Sequence, residues 1–297
     1  MSDDDERRGR GLLSGADRRR PAVRRGLRAL QGGLLLGTAI AGLGPLLWTA
    51  KGALSPTQEL LREPLRPWPS QPQWSTLVAA WTELRIGHYL LNTVVLVGGS
   101  WCVQLLVAVT GAFALSVLRP RYGRVVYGAV LATLFVPGTV SLVALYLTVL
   151  DLPLTGGSIA GTPWAVWLPA GAHAFNVLIM KQFFDALPRE LHEAAQVDGA
   201  GPWRLFWQIT MPMSRPILAI VSLLAVMESW KDFLWPMIAI SDTEAQPLAV
   251  ALPRLADLAE QNQVIAGMLV AVVPPLLLFL VFQRHVVRGI SFTGLKG

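Results

Sequence analysis

Six long apolar runs, separated by polar segments of unequal length, organise the chain. They cover residues 30–50, 90–118, 125–150, 163–184, 216–240 and 263–282. Each is close to or above the ~20 residues that a helix needs to cross a bilayer core of ~30 Å. In lipid every backbone N–H and C=O must be bonded within its own segment, so the runs are expected to be helices. The few Gly and Pro inside them are tolerated in such helices. Strands of a membrane barrel would be about ten residues long and would alternate in polarity. These runs are much longer and do not alternate. The first run follows an Arg-rich tail, is too long for the apolar centre of a signal peptide and lacks a clear small-residue cleavage site. It reads as a retained span.

The pattern predicts an all-α polytopic membrane protein with six transmembrane helices. An Arg-rich tail occupies 1–29, the first span 30–50 and an outer loop 51–89. A core over 90–283 holds five further spans and the polar segment 185–215, and a short tail covers 284–297. Composition agrees: of 297 residues 53% are hydrophobic and only 15% charged, against about one quarter charged in soluble domains.

Lys and Arg orient the chain. Nine arginines precede residue 29. Segments 119–124, 185–215 and 284–297, which share that side, hold Arg119, Arg121, Arg124, Arg189, Arg204, Arg215, Arg284, Arg288 and Lys296. The opposite side has only Lys51, Arg62, Arg66, Arg85 and Arg254. The positive-inside pattern predicts a multi-pass membrane protein with both termini in the cytoplasm. The net charge of +6 is accounted for by that distribution rather than by nucleic acid. The tail, with Asp3, Asp4, Asp5, Glu6 and Asp17 among its arginines, is expected to be disordered and weakly attracted to anionic lipid.

Catalytic chemistry is sparse. Cys102 is the single cysteine, so no disulfide forms within the chain. His88, His173, His192 and His285 lack metal-ligand spacing. No lysine stands in a phosphate-binding G-x-x-x-x-G-K-[ST] loop, and no G-x-S-x-G occurs. The chain is therefore expected to be a transport subunit without an ATPase site of its own, rather than a membrane enzyme.

One inside segment is longer than a turn requires: "ELHEAAQVDGAGPWRLFWQITMPMSRP", residues 190–216. Its first half reads as a short helix carrying Glu190, Glu193 and Ala194, ended by Gly199, which takes φ > 0 without a Cβ penalty. Pro202 suits the first turn of a second short helix, "PWRLFWQIT". Pro212 and Pro216 are expected to break that helix and start the fifth span. Small residues at Ala194 and Ala195 allow close approach of another surface. The segment reads either as a docking knob or as a helix lying on the membrane.

The same stretch resembles the EAA motif of bacterial ABC-importer permeases, E-A-A-x3-G-x9-I-x-L-P. Glu193, Ala194, Ala195, Gly199, Ile209 and Pro212 match at that spacing, Met211 replaces the usual leucine, and Asp198 opens the common D-G-A. "LLNTVVLV", "FNVLIMKQFFDALPRELHEAAQVDGA", "WKDFLWP" and "GISFTGLKG" are similar to the carbohydrate-type branch, the family of the maltose transporter's smaller permease. The resemblance runs from about Trp74 to Gly297. It implies a type I importer permease fold and a sugar substrate. It also implies a second permease subunit, two cytoplasmic ATPase subunits that bind ATP and Mg, and an extracellular solute-binding protein. The chain itself would carry no cofactor or metal. The helix with Glu193 would sit in a groove on the ATPase, and ATP-driven closure would rock the spans. A polyol or glycerol phosphate importer is the nearest alternative. An ion-coupled secondary transporter would instead show inverted repeats, and none is clear here.

Inside the fifth run Glu228, Lys231 and Asp232 stand at i, i+3 and i+4, one face of a helix. Charges at membrane depth pair with each other or face a cavity or partner. The three read as a structural cluster or as a polar wall of the sugar path. Asn176 is a second polar candidate for the path or for an interhelical hydrogen bond. Trp230 and Trp235 suit sugar stacking or interface anchoring. Lys231 stands where the family usually has asparagine. Outside, "WSTLVAAWTELRI" is expected to form an interfacial helix, and 241–262 either connects spans or reaches toward the binding protein.

Overall fold

A computed structural model describes residues 21–153 and 155–293, with side chains as far as Gln283. The expectations on residues 1–20, on Lys296 and on the side chains of Arg284, His285 and Arg288 fall outside it. Among the described residues there is no strand.

The first described helix, α1, covers Pro21–Leu54, so residues 21–29 of the tail are helical where disorder was expected. The Ala, Arg and Leu after Pro21 favour helix. Two short helices, α2 (Thr57–Arg62) and α3 (Ser75–Thr82), fold within the outer loop. The helix expected from "WSTLVAAWTELRI" is α3. Helix α4 covers Ile86–Phe113 and runs on through a π turn, Ala114–Leu118.

The remaining apolar runs are not single helices. Residues 125–150 divide into α5 (Gly123–Thr133) and α6 (Gly138–Leu150), bent by 110°. Pro137 stands at that break with extended ψ, and proline also drives the residue before it out of the helical region. Residues 163–184 divide into α7 (Trp164–Ala170) and α8 (Ala174–Asp185), seven and 12 residues long. Neither alone has the ~20 residues a bilayer core requires. Residues 216–240 divide into α11 (Arg215–Lys231) and α12 (Leu234–Ala239). Between α8 and α11 lie α9 (Arg189–Val197) and α10 (Pro202–Met213). Helix α13 (Leu248–Ala256) precedes α14 (Gln261–Thr293). Among the described residues three helices are long and apolar enough to cross a membrane unbroken, in α1, α4 and α14, and two bent pairs, α5 with α6 and α10 with α11, bring the number to five at most. Six spans were expected; the other apolar runs are interrupted, so the count of six is not established by these helices.

Among the described residues three apolar cores hold the bundle; outer and inner here denote the sides expected from the Lys and Arg distribution. On the outer side Ile86 and Tyr89 of α4 meet Leu248 and Leu252 of α13, Ile265 of α14 and Ala53 of α1. In the middle Leu96, Val149, Val166, Trp235 and Ile240 join α4, α6, α7 and α12. On the inner side Phe113, Met180, Phe184, Phe206 and Val221 join α4, α8, α10 and α11. Elsewhere α1 presents Leu34, Leu35, Leu36 and Ile40 to the surroundings, each more than 60% exposed. An apolar face of that extent belongs against lipid or another membrane helix.

Candidate functional site

The inner polar segment is built as a knob. None of the residues of α9 is buried. Its C-terminus closes by a Schellman arrangement: Ala200 N–H donates to Ala195 O at 2.9 Å and Gly199 N–H to Gln196 O at 3.0 Å. Gly199 takes φ +77°, a region that a Cβ makes costly. Asp198 caps this end. Glu193 and Ala194 face outward, and Ala195 is half-buried. Around them Leu191, Val197, Trp203 and Trp207 are exposed, giving the knob an apolar rim.

Helix α10 fastens the knob to the bundle. It opens as α-helix at Pro202–Arg204, passes through a π turn at Leu205–Thr210 and closes at Met211–Met213. Pro212 therefore lies within the helix, and the chain turns by 80° after Met213 rather than at Pro212. Proline lacks the N–H that a continuing α turn would use, and the π turn before it relaxes that requirement. Leu205 and Phe206 are buried, and Ile209, Ala195 and Ala200 pack against the inner core. Phe206 meets Phe113 edge to face at 5.0 Å between ring centres. Thr210 is fully buried. Its hydroxyl donates to Leu205 O at 3.0 Å and lies 3.2 Å from His192 Nε2. Close-packed side chains thus join α10, and Ala195 of α9, to α4, α8 and α11.

A second site lies inside the bundle. A cavity of about 200 Å³ is lined by Ser100, Gln104, His173, Glu228, Ser229 and Asp232, with apolar residues of α4, α6, α7 and α12 around them. His173 sits at the break before α8 with extended backbone, and its Nε2 is 2.7 Å from Glu228 Oε2 of α11. Glu228, Lys231 and Asp232 are not ion-paired to one another. The reason is the end of α11: Asp232 has left the helix with ψ 119° and accepts from Trp235 N–H at 3.4 Å, while Lys231 is exposed.

Asn176 is fully buried beside this cavity. Its Nδ2 donates to Gln104 Oε1 at 2.9 Å, and Gln104 Nε2 donates to Ser229 Oγ at 3.2 Å. The relay ties α8 to α4 and α11. Trp230 Nε1 donates to Ala271 O of α14 at 3.2 Å. Trp235 Nε1 donates to Ala165 O at 3.0 Å within the middle core, so Trp235 is a buried packing residue. Sequence reading had not brought His173, Gln104 or Ser229 to this site. The available signal was a polar residue inside each of three apolar runs, and only their meeting in space makes it specific.

Residues 104–292 match the family described as binding-protein-dependent transport system inner membrane component. The chain belongs to this family. It is 30% identical over 270 residues to the diacetylchitobiose uptake system permease protein of Streptomyces coelicolor, covering 89% of this chain and 87% of that protein. It is 29% identical over 277 residues to the sn-glycerol-3-phosphate transport system permease protein of Pectobacterium atrosepticum, covering 90% and 97%. In fold it resembles a subunit of a bacterial ABC transporter involved in the import of the acidic polysaccharide alginate. That likeness has a TM-score of 0.77 at 22% identity and covers 92% of this chain and 99% of that one. The protein is a multi-pass membrane permease subunit of an ABC importer.

Proposed function

We propose that this permease forms, with a second permease, the membrane pathway for uptake of a neutral sugar. Two cytoplasmic ATPase subunits holding ATP and Mg would drive it, and an extracellular binding protein would deliver the solute. Both termini lie in the cytoplasm on this reading, which the Lys and Arg distribution supports.

The observation that carries the coupling role is the knob of α9 and α10, exposed at its tip and rooted in the inner core. Glu193 offers a charge to a basic group on the ATPase. Ala194 and Ala195 allow close approach, and Asp198 and Gly199 fix the corner. Ile209 and Pro212 belong to the rigid stem. When the ATPases close on ATP, movement of the knob tilts α4, α8 and α11 together. Helices α4 and α11 also line the interior cavity, and His173 in its wall immediately precedes α8, so its access changes with the ATPase cycle.

The cavity supports the substrate class. Its lining contains Glu228 and Asp232 but no Lys or Arg. A phosphate or uronate group would meet carboxylates there with no Lys or Arg to offset them, and His173 is already engaged by Glu228. Hydroxyl groups would find acceptors and donors in Ser100, Gln104, Ser229 and the carboxylates. Asn176 positions Gln104, Trp230 braces the wall against α14, and Lys231, exposed at its edge, faces the seam with the second permease. Glycerol phosphate, for whose transport system the Pectobacterium atrosepticum relative is named, is the second reading.

The test measures uptake of a radiolabelled neutral disaccharide panel and of glycerol phosphate, with ATPase co-purification, in cells expressing the complete transporter. A charge-assisted hydrogen bond is worth about 1.5–3 kcal/mol, so Glu193→Ala should weaken ATPase recovery by roughly ten- to a hundredfold. Gly199→Val should displace α10 and abolish uptake with Glu193 still present. Normal recovery and uptake in both variants would reduce the knob to a loop. Preferential uptake of glycerol phosphate would overturn the neutral-sugar assignment alone. Orientation is read in a Cys102→Ser background: cysteine at Ser70 should label in intact cells, and cysteine at Gly201 should not.

A further inference from the structure

A concentration of positive charge that neither coupling nor the interior cavity uses lies between two corners, α4 to α5 and α8 to α9. A cavity of about 700 Å³ is lined there by Arg119, Arg121, Arg124, Lys181 and Arg189, with Asp185 the one carboxylate in the lining. Asp185 is already paired with Lys181 at 2.6 Å, and Lys181 also lies 4.6 Å from the centre of the Tyr127 ring. Among the described residues Arg121, Arg124 and Arg189 have no carboxylate partner. Like charges gathered without counterions repel one another, and an anion placed among them removes that repulsion.

The local backbone is shaped to gather them. The π turn of Ala114–Leu118 ends at Arg119 with φ +48°, a left-handed conformation that glycine usually supplies. Arg119 N–H donates to Ala114 O at 2.9 Å and its Nε to Ser116 O at 2.7 Å. Ser116 Oγ donates to Lys181 O at 3.2 Å, which ties this turn to α8. The corner next to the cavity also exposes Leu118, Tyr122 and Val125 at 49%, 68% and 75%. A basic cavity beside an apolar rim, at the end of membrane helices, has the chemistry of an amphiphile with an anionic head. Guanidinium groups match phosphate oxygens in pairs.

We propose that this cavity seats the phosphate-bearing headgroup of an anionic phospholipid, with its acyl chains against Leu118, Tyr122 and Val125. Arg189 is the first residue of α9. The headgroup therefore bridges the Arg119–Arg124 corner to the stem of the knob and braces it. That bracing rests on the coupling role proposed above; the binding itself does not.

The experiment uses the full chain, purified in nonionic detergent and titrated by native mass spectrometry. The probes are dihexanoyl phosphatidylglycerol, dihexanoyl phosphatidylcholine and inorganic phosphate. Phosphatidylglycerol should bind at one site, roughly tenfold or more tighter than phosphatidylcholine. Arg121→Gln/Arg124→Gln should lose at least roughly tenfold in that affinity. Arg204→Gln/Arg215→Gln, which removes equal charge from exposed positions outside the cavity, should change it by less than about twofold. Arg121→Lys/Arg124→Lys keeps the charge and should retain most of the binding, which separates recognition from misfolding. Equal binding of the two lipids, or equal loss in both glutamine doubles, would overturn the site. Inorganic phosphate binding as tightly as phosphatidylglycerol would overturn the lipid assignment. Loss of ATPase recovery in Arg121→Gln/Arg124→Gln with lipid binding unchanged would make the cavity a protein contact instead.

Discussion

His173 Nε2 and Glu228 Oε2 approach to 2.7 Å across the interior cavity, joining the break before α8 to the last turn of α11. The pair holds two interrupted elements where no continuous helix fixes their relation. Both side chains are partly exposed to the cavity, at 29% and 48%, so the contact is moderate in strength. Interhelical hydrogen bonds in bilayers average about 0.6 kcal/mol and reach about 1.7. A double-mutant cycle with His173→Ala and Glu228→Ala, read by thermal unfolding in detergent, should give a coupling of roughly 0.5–1.7 kcal/mol. Additivity of the two single substitutions would mean that the residues do not interact.

Gly99 and Trp167 make a second test, this one steric. A Cβ on Gly99 would fall 2.1 Å from the Trp167 ring. The ring is held by its Nε1, which donates to Leu96 O at 3.1 Å. Gly98, one residue earlier, has open space around the same position. Overpacking costs about 1–3 kcal/mol, whereas Gly→Ala in a helix gains up to about 1 kcal/mol. Gly98→Ala should therefore leave the thermal midpoint level or raised, and Gly99→Ala should lower it. Gly99→Ala/Trp167→Phe should recover part of the loss. Equal behaviour of the two alanine variants would contradict the close approach of α4 and α7.

The outer loop carries a pH dependence. Ser70 Oγ and backbone N–H donate to the Glu59 carboxylate, and Arg66 lies 3.7 Å away. The Ser70 hydroxyl bond, then the backbone bond and Arg66, hold the Glu59 carboxyl below its ordinary value of 4.5. A lowered folded value means that the ionised form stabilises the loop. That contribution is fully present above pH 4.5 and is lost as pH falls below it through the folded value. Protection of the Ser70 amide from exchange, taken relative to the intrinsic rate at each pH, should be high at neutral pH and fall in that acidic window. Glu59→Gln should flatten the dependence and leave exchange faster at neutral pH. An unchanged acid profile in Glu59→Gln would remove Glu59 as its origin.

The sequence alone determined that this is a helical membrane protein, because ~20-residue apolar runs without alternation have no other stable form in lipid. It also placed the corner at Gly199, since only there does a glycine follow the last turn of a short polar helix, and the φ of +77° follows from that. The EAA spacing from Glu193 to Pro212 was equally legible, being local in the chain. Where the runs divide was less so: hydropathy averages over proline and glycine, and a run reads the same whether it is straight or bent by 110° at residues 134–137. The continuation of α10 through Pro212 depended on a π turn, which leaves no compositional trace. The face shared by Glu228, Lys231 and Asp232 assumed that the helix went on to Asp232, and it ends at Lys231. Only the tertiary structure brought His173 to Glu228 and linked Asn176 through Gln104 to Ser229. Those partners lie on different helices, so the contacts depend on helix rotation and crossing. Packing of side chains across the bundle sets both, and no periodicity within a single segment encodes them.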